Sequence, residues 1–308
     1  MVKKIESGGR TVEISSRDKT FYPDSGLTKG DILDYYLQIA DYILPHLKNR
    51  PVTMHRFPDG IGDKEFYQKQ APGYFPGWID LVKVKNRDGG VTEYVLCNNR
   101  ETLIYLVNQS SIVIHTWLSK KKRLENPDRM IFDLDPAGDD FEIVKDAAKK
   151  LKRLLGDEMN LENYIMTTGS RGLHVVVPLS DDVSFEKSQE FSRFAAEIMV
   201  EREPDKFTTN VRKEKRKAKL YIDTARNAFG QTAIAPYSLR ALKNAPIATP
   251  LEWGELDNPG LDPQTYHIKN IFRRLGQKSD PWKKMGQDRV SLKSLESLLE
   301  KFQSQDSN

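Results

Sequence analysis

Cysteine is almost absent: Cys97 is the only one in 308 residues. An intramolecular disulfide is therefore excluded, and so is a zinc site built on several thiolates. A reducing, intracellular setting is the simplest reading. Long apolar runs are absent too. No stretch approaches the roughly 18 residues that mark a membrane-spanning helix, so no membrane association is expected. The start, Met1-Val2-Lys3-Lys4-Ile5-Glu6, lacks the apolar core of a signal peptide. There is no internal repeat and no low-complexity linker; only residues 304–308 read as a frayed tail. Net charge is small, +4 from 48 basic and 44 acidic residues, and so does not by itself indicate a nucleic-acid partner. Its distribution is more telling. Lys120-Lys121-Lys122-Arg123 and Arg212-Lys213-Glu214-Lys215-Arg216-Lys217-Ala218-Lys219 are basic runs. Such clusters can neutralise phosphates, although each alone also fits a solvated face.

Periodicity supplies the elements. Asp31 to Leu44 has helical spacing, with Thr28 as its cap, Asp31 three residues on, and Pro45 as its stop. Thr92 to Cys97 reads as a strand, Asn98 or Asn99 caps a helix to about Gln109, and Ile112 to Trp117 is β-rich. Arg129 to Leu134 is a strand, and Phe141 to Leu155 a helix ended by Gly156. Strands at Tyr164 to Thr168 and Leu173 to Leu179 flank a turn at Gly169–Gly172. A helix from Ser184 to Glu203 stops at Pro204. Leu220 to Asp223 and Gln231 to Ala235 read as strands around a turn at Asn227–Gly230, and helices are expected at Pro263 to Leu275 and Leu292 to Phe302. This order predicts an α+β fold with a mostly antiparallel sheet, and shows no boundary between independent domains.

The sharpest chemical signal is Arg129-Met130-Ile131-Phe132-Asp133-Leu134-Asp135-Pro136. Residues two apart on a strand share a face, so Asp133 and Asp135 project together. Their repulsion is relieved by a divalent cation, which prefers oxygen ligands. A second apolar strand, Lys219-Leu220-Tyr221-Ile222-Asp223, also ends in an acid. If the two strands are neighbours, Asp133, Asp135 and Asp223 form a catalytic and metal-binding set, holding two Mn²⁺ or Mg²⁺ ions for an in-line phosphoryl displacement. The alternative is surface acids in turns.

Thr167-Thr168-Gly169-Ser170-Arg171-Gly172-Leu173-His174 is a glycine-bearing turn between apolar strands, able to cradle phosphate or simply to close a hairpin. His115, within an apolar strand, fits a core histidine as well as a functional one. Arg240, just after a strand, can pair with a triphosphate or a carboxylate. A haloacid-dehalogenase-type phosphatase also uses Asp-x-Asp after a strand, with Asp181-Asp182 as its later acidic pair. A metal-dependent glycosyltransferase and a non-catalytic nucleic-acid-binding module are further rivals.

Taken together, Phe132–Pro136, Gly169–His174, Tyr221–Asp223 and Ala235-Pro236-Tyr237-Ser238-Leu239-Arg240 resemble the polymerase domain of bacterial ligase D and its archaeal relatives, in the archaeo-eukaryotic primase superfamily. The resemblance runs from about Asp18 to Trp282. It implies one primase-polymerase domain over residues 1–308. An N-terminal α/β layer spans about 1–125, an RRM-like catalytic sheet about 126–250, and C-terminal helices about 251–303. It implies a template-directed nucleotidyltransferase that extends or fills gaps at DNA ends in non-homologous end joining. His55, Arg56, His115, Thr168, Ser170, Arg171, His174 and Arg240 are implied to bind the nucleotide, an NTP or dNTP. Lys19 and Lys29 are implied to hold a 5′ phosphate, Phe66 and Tyr67 to stack on the template, and Arg216 to act in a DNA-binding loop. Lysine is a compact charge suited to a terminal phosphate, and stacking accepts any base. Two departures stand out: His55 precedes Arg56 where relatives often carry lysine, and Tyr67 replaces phenylalanine. Ku, a separate or fused DNA ligase, a cytoplasmic, nucleoid-associated setting in a prokaryote, and ribonucleotide use with Mn²⁺ are implied as well.

Overall fold

The computed structural model describes residues 3–7, 9–86 and 88–305. The chain start at Met1-Val2 and positions 306–308 of the expected tail lie outside them. Among the described residues no helix is long and apolar enough to cross a membrane.

Two compact units interleave along the chain. One comprises the residues through Lys122 with Thr232–Ala248 and Tyr266–Gln277; the other comprises Arg123–Gln231, Thr249–Thr265 and the residues from Lys278. Residues 232–248, placed by the sequence reading in one catalytic part, thus belong to the first unit. Because each unit is discontinuous, no single stretch of linker marks a boundary.

The first unit is built on an antiparallel sheet ordered Thr232–Ile234, Ser111–Trp117, Pro51–Arg56, Val91–Leu96, Leu81–Lys85, with Phe66–Gln68 also pairing with Pro51–Arg56. Helix Lys29–Leu47 starts where expected. The Thr28 side chain accepts from Asp31 N–H, and the Asp31 carboxylate accepts from Thr28 N–H. It passes Pro45 rather than stopping there, since proline so near the end forfeits a single backbone bond. Tyr35, Tyr36, Ile39 and Ile43 are fully buried on its inner face. Asn99 caps helix Arg100–Asn108.

The second unit runs strand, helix, strand, strand, helix, strand: Arg129–Asp135, Phe141–Lys152, Tyr164–Thr167, Leu173–Pro178, Phe185–Arg202, Leu220–Asp223. This is the β-α-β-β-α-β order of an RRM-like sheet. The strands lie in the order Phe207–Thr208, Leu220–Asp223, Arg129–Asp135, Leu173–Pro178, Tyr164–Thr167, Thr249–Leu251, all antiparallel except the first pair. The last and first strands of the motif are therefore neighbours. Several expectations shift. Leu220–Asp223 and Thr232–Ile234 do not form a hairpin; they belong to different sheets. Gly156 lies inside a π-helical stretch, Arg153–Glu158, rather than ending the preceding helix. The expected helix over 263–275 shrinks to Ile271–Leu275, because Tyr266 and Ile268 spend their backbone groups on Ile247 and Ala245. The last helix extends to Gln305, taking up the first residues of the supposed tail.

Candidate active site

Strand register decides the geometry. Asp133 stands directly opposite His174 on one side and opposite Asp223 on the other, and Asp135 stands opposite Tyr221. Directly opposed residues point to the same face, so the three acids share one face with His174 and Tyr221. Phe132 and Leu134, on the other face, are fully buried.

Asp133 is buried and its Oδ1 lies 3.3 Å from His174 Nε2. Burial opposes its ionisation, but His174 and Arg226 outweigh that and hold its carboxyl below the usual value. Asp135 goes the other way. Burial first, then the charge of Asp133, with a further contribution from Asp223, pushes it up to about 6; His174 and Arg171 oppose the rise. Like charges brought together on a partly dry face leave one of them reluctant to ionise. Tyr221 donates to Asp223 Oδ1 at 3.2 Å, and the Arg216 guanidinium covers the Tyr221 ring at 3.8 Å. Arg216 is further tied by hydrogen bonds to Asn210 O and Val211 O, which folds the basic loop back on itself.

Arg226 escaped the sequence reading. Its Nε lies 3.4 Å from Asp133 Oδ2 and 4.0 Å from Asp223 Oδ2. It stands where a cation relieves the repulsion of the two acids. The neighbouring Asn227 explains its position. Fully buried, Asn227 accepts from Ile131 N–H at 2.8 Å and donates to Ile131 O at 2.7 Å. A side-chain amide thus imitates a strand partner and pins the turn beside Asp133. The signal in the sequence was only proximity, three and four residues after Asp223.

In kind, the donors suit a divalent cation: three carboxylates on one face, one with its pKa raised by burial and then by like charge. In orientation, Asp133 turns toward His174 and Arg226 and Asp223 toward Tyr221, rather than toward one point. Among the described residues, no three His, Cys, Asp or Glu side chains converge closely enough to hold a metal ion.

The Thr167–His174 turn is a tight loop organised by Thr168. Its hydroxyl donates to Gly172 O at 3.1 Å and accepts from the N–H groups of Ser170 and Gly172, both at 3.3 Å. Gly169 has φ of 68°, the left-handed region that glycine enters freely. Gly172 is required for another reason: a Cβ there would lie 2.1 Å from Leu134 O. Arg171 is near enough to Asp135 to act on its charge. The acidic pair that a phosphatase needs is elsewhere. Asp181 pairs with Arg123 and Arg289, Asp182 accepts from Leu292 N–H, and both follow the strand end that lies opposite Arg129, not Asp133.

In the first unit, His55 stacks on Tyr67 at 4.0 Å and lies 6.4 Å from His115, whose ring is 5.8 Å from Tyr67. The charge of Arg240 reaches His55, whose pKa is lowered by burial, partly offset by Glu65. These four residues gather. Arg56 and Phe66 do not join them. Opposite each other in register, they occupy the other face of the two-strand ribbon, with the Arg56 guanidinium 5.5 Å from the Phe66 ring centre. Lys19 and Lys29 do meet. Lys29 N–H donates to Lys19 O at 2.8 Å, and burial, then the charge of Lys19, lowers Lys29 to about 8. Lys19 Nζ donates to Asp59 at 2.6 Å and to Pro58 O at 2.9 Å.

The family described as LigD, primase-polymerase domain, matches residues 28–282. The chain is 33% identical over 277 residues to the multifunctional non-homologous end joining protein LigD of Mycolicibacterium smegmatis, covering 87% of this chain and 35% of that protein. It is 33% identical over 273 residues to the bifunctional non-homologous end joining protein LigD of Bacillus subtilis, covering 88% of this chain and 43% of that one. The chain thus spans less than half the length of these relatives. The polymerase domain from Mycobacterium tuberculosis ligase D in complex with DNA has a similar structure, with a TM-score of 0.83 at 29% identity, over 91% of this chain and 99% of that chain. With its RRM-like sheet and its acids in register, the chain belongs to the family of LigD primase-polymerase domains, metal-dependent DNA-directed nucleotidyltransferases.

Proposed function

We propose that this chain extends primers and fills gaps at broken DNA ends in non-homologous end joining, transferring a nucleotidyl group from an NTP or dNTP to a 3′ hydroxyl. The observation that carries the reading is the gathering of Asp133, Asp135 and Asp223 on one sheet face. These carboxylates would hold Mn²⁺ or Mg²⁺, which when bound activates the attacking hydroxyl and offsets charge on the leaving pyrophosphate. His174 keeps Asp133 ionised and oriented. Thr168 and Ser170 shape the glycine turn whose donors, with Arg171, face triphosphate oxygens. His55, His115 and Arg240 contact the nucleotide, Tyr67 stacks on a template base, and Arg216 acts from the basic loop. Lys19 and Lys29 bind the 5′ phosphate, their proximity giving the site two positive charges. Ku and a fused or separate DNA ligase are the partners of such a reaction, in the cytoplasm of a prokaryote.

The test is a gapped, 5′-phosphorylated duplex offered with NTPs or dNTPs and with Mn²⁺ or Mg²⁺. Template-directed extension is expected, stronger on the phosphorylated gap. Failure to extend under every combination, with phosphate released from a simple monoester instead, would overturn the reading in favour of a phosphatase.

A further inference from the structure

Lys19 does not stand free at the place assigned to the 5′ phosphate. Its Nζ meets Asp59 Oδ1 at 2.6 Å and donates to Pro58 O at 2.9 Å. A turn pressed against strand Thr20–Tyr22, the segment that follows Lys19, carries Asp59 to this position. Gly60 N–H donates to Phe57 O at 3.2 Å and closes the turn, and Ile61 N–H donates to Phe21 O at 2.8 Å. Gly60 has φ of 97°, and a Cβ there would lie 3.0 Å from Phe21 O and 3.1 Å from Thr20 O. Glycine lets two backbones come this close, and their closeness fixes Asp59 beside Lys19. Lys29 has a different neighbour: its Nζ reaches the neutral Ser15 Oγ at 3.4 Å. One lysine of the pair is therefore opposed by a carboxylate.

An exposed ion pair adds little stability, and here the side chains are 38% exposed at Lys19 and 60% at Asp59. The effect of the pair falls on the ligand instead. A phosphate that takes Lys19 must displace the carboxylate and then lie within reach of its negative charge. A terminal phosphate carries about −1.5 to −2 at neutral pH, so it meets strong opposition. The reaction gives that opposition a use. Once a gap is filled, the 5′ phosphate at its edge must be given up for joining to the new 3′ hydroxyl, and two unopposed lysines would hold it longer. We propose that Asp59 is a built-in competitor for Lys19, limiting the grip on the 5′ phosphate and speeding its release to the joining step. The inference rests on the reading of Lys19 and Lys29 as the 5′-phosphate site.

The test compares wild type, Asp59→Asn, Lys19→Gln and the double variant by fluorescence anisotropy and stopped flow. The probes are gapped duplexes that differ only in ending with a 5′ phosphate or a 5′ hydroxyl at the gap. On the phosphorylated gap Asp59→Asn should bind about fivefold more tightly, the scale set by loss of an exposed pair. The gain should lie mostly in slower dissociation. On the hydroxyl gap Asp59→Asn should bind like wild type. Adding Lys19→Gln should abolish the gain, since no lysine remains to compete for. Asp59→Ser should behave as Asp59→Asn does, and matched thermal melts check that all variants fold. Equal dissociation rates for wild type and Asp59→Asn on the phosphorylated gap overturn the proposal. So does an equal gain on both gaps, or a gain that survives Lys19→Gln. If wild type prefers the phosphorylated gap and only the Asp59 comparisons fail, the competitor alone is wrong. If wild type does not distinguish the two gaps, the 5′-phosphate reading falls and the proposal with it.

Discussion

Asp223 stands directly opposite Asp133 on the adjacent antiparallel strand, and the guanidinium of Arg226 approaches both. The pairing follows from strand order: the last strand of the β-α-β-β-α-β motif lies beside the first. Although the two run antiparallel, they overlap only at their C-terminal ends, Asp133–Asp135 against Asp223–Tyr221, and this register brings the two acids together. A slip of one residue would turn Asp223 to the opposite face.

Replacing Asp133 or Asp135 with Asn is expected to lower primer extension by roughly a hundredfold or more, since the ions they hold supply several kcal/mol of charge stabilisation. Affinity for gapped DNA should change little. Extension assays and anisotropy on the same preparations separate the two, and a variant that extends at the wild-type rate removes that residue from the metal set.

Arg226→Gln should destabilise the protein by about 1–3 kcal/mol when no divalent ion is added, because buried Asp133 loses a charged donor. Adding Mn²⁺ should narrow the gap between variant and wild type, as the ion takes over the neutralising role. Urea midpoints with and without Mn²⁺ check this. Identical midpoints in both conditions would show that Arg226 does not neutralise the acids.

Gly172→Ala places a methyl where Leu134 O already stands, with 2.1 Å between the atoms. The strand or the turn must move, and a loss of about 3 kcal/mol or more is expected. Gly169→Ala should cost less, about 1 kcal/mol from its backbone conformation alone. Denaturation of the two variants side by side gives the order; a smaller loss at 172 than at 169 would contradict the packing argument.

Lys29 releases its proton near pH 8 in the folded chain, against 10.5 as the ordinary value, through burial and the charge of Lys19. Between these values the unfolded chain holds more protons, so stability contributed here rises with pH across that window. Below pH 8 the cost of charging Lys29 is present in full, and a bound 5′ phosphate offsets it. Preference for 5′-phosphorylated ends should accordingly be strong below pH 8 and decline above it. Lys29→Met should remove the preference and raise stability at pH 7. A flat preference between pH 7 and 9.5 in wild type would sink this assignment.

The sequence reading located helix Lys29–Leu47, the Arg129–Asp135 strand and the Gly169–Gly172 turn because local physics specifies them: a capping box, apolar alternation, glycines between strands. It overextended the helix before Leu275, since nothing local shows that Tyr266 and Ile268 bond to the Ala245–Ile247 backbone. It paired Leu220–Asp223 with Thr232–Ile234 because they are close in sequence, whereas sheet partners are chosen by burial of both faces. It did not single out Arg226 and read Asn227 only as the start of a turn; their roles exist only once Ile131 and Asp133 lie beside them.

The sequence alone determined that the strand carrying Asp133 and Asp135 points both acids to one side, because side-chain alternation is a property of a single extended segment. Tertiary structure alone decided that Asp223 and His174 flank Asp133, that Arg226 stands among the acids, and that Phe66 and Arg56 turn away from Tyr67 and His55. Those relations depend on which strands pair and in what register, and that choice is made by packing between segments far apart in the chain.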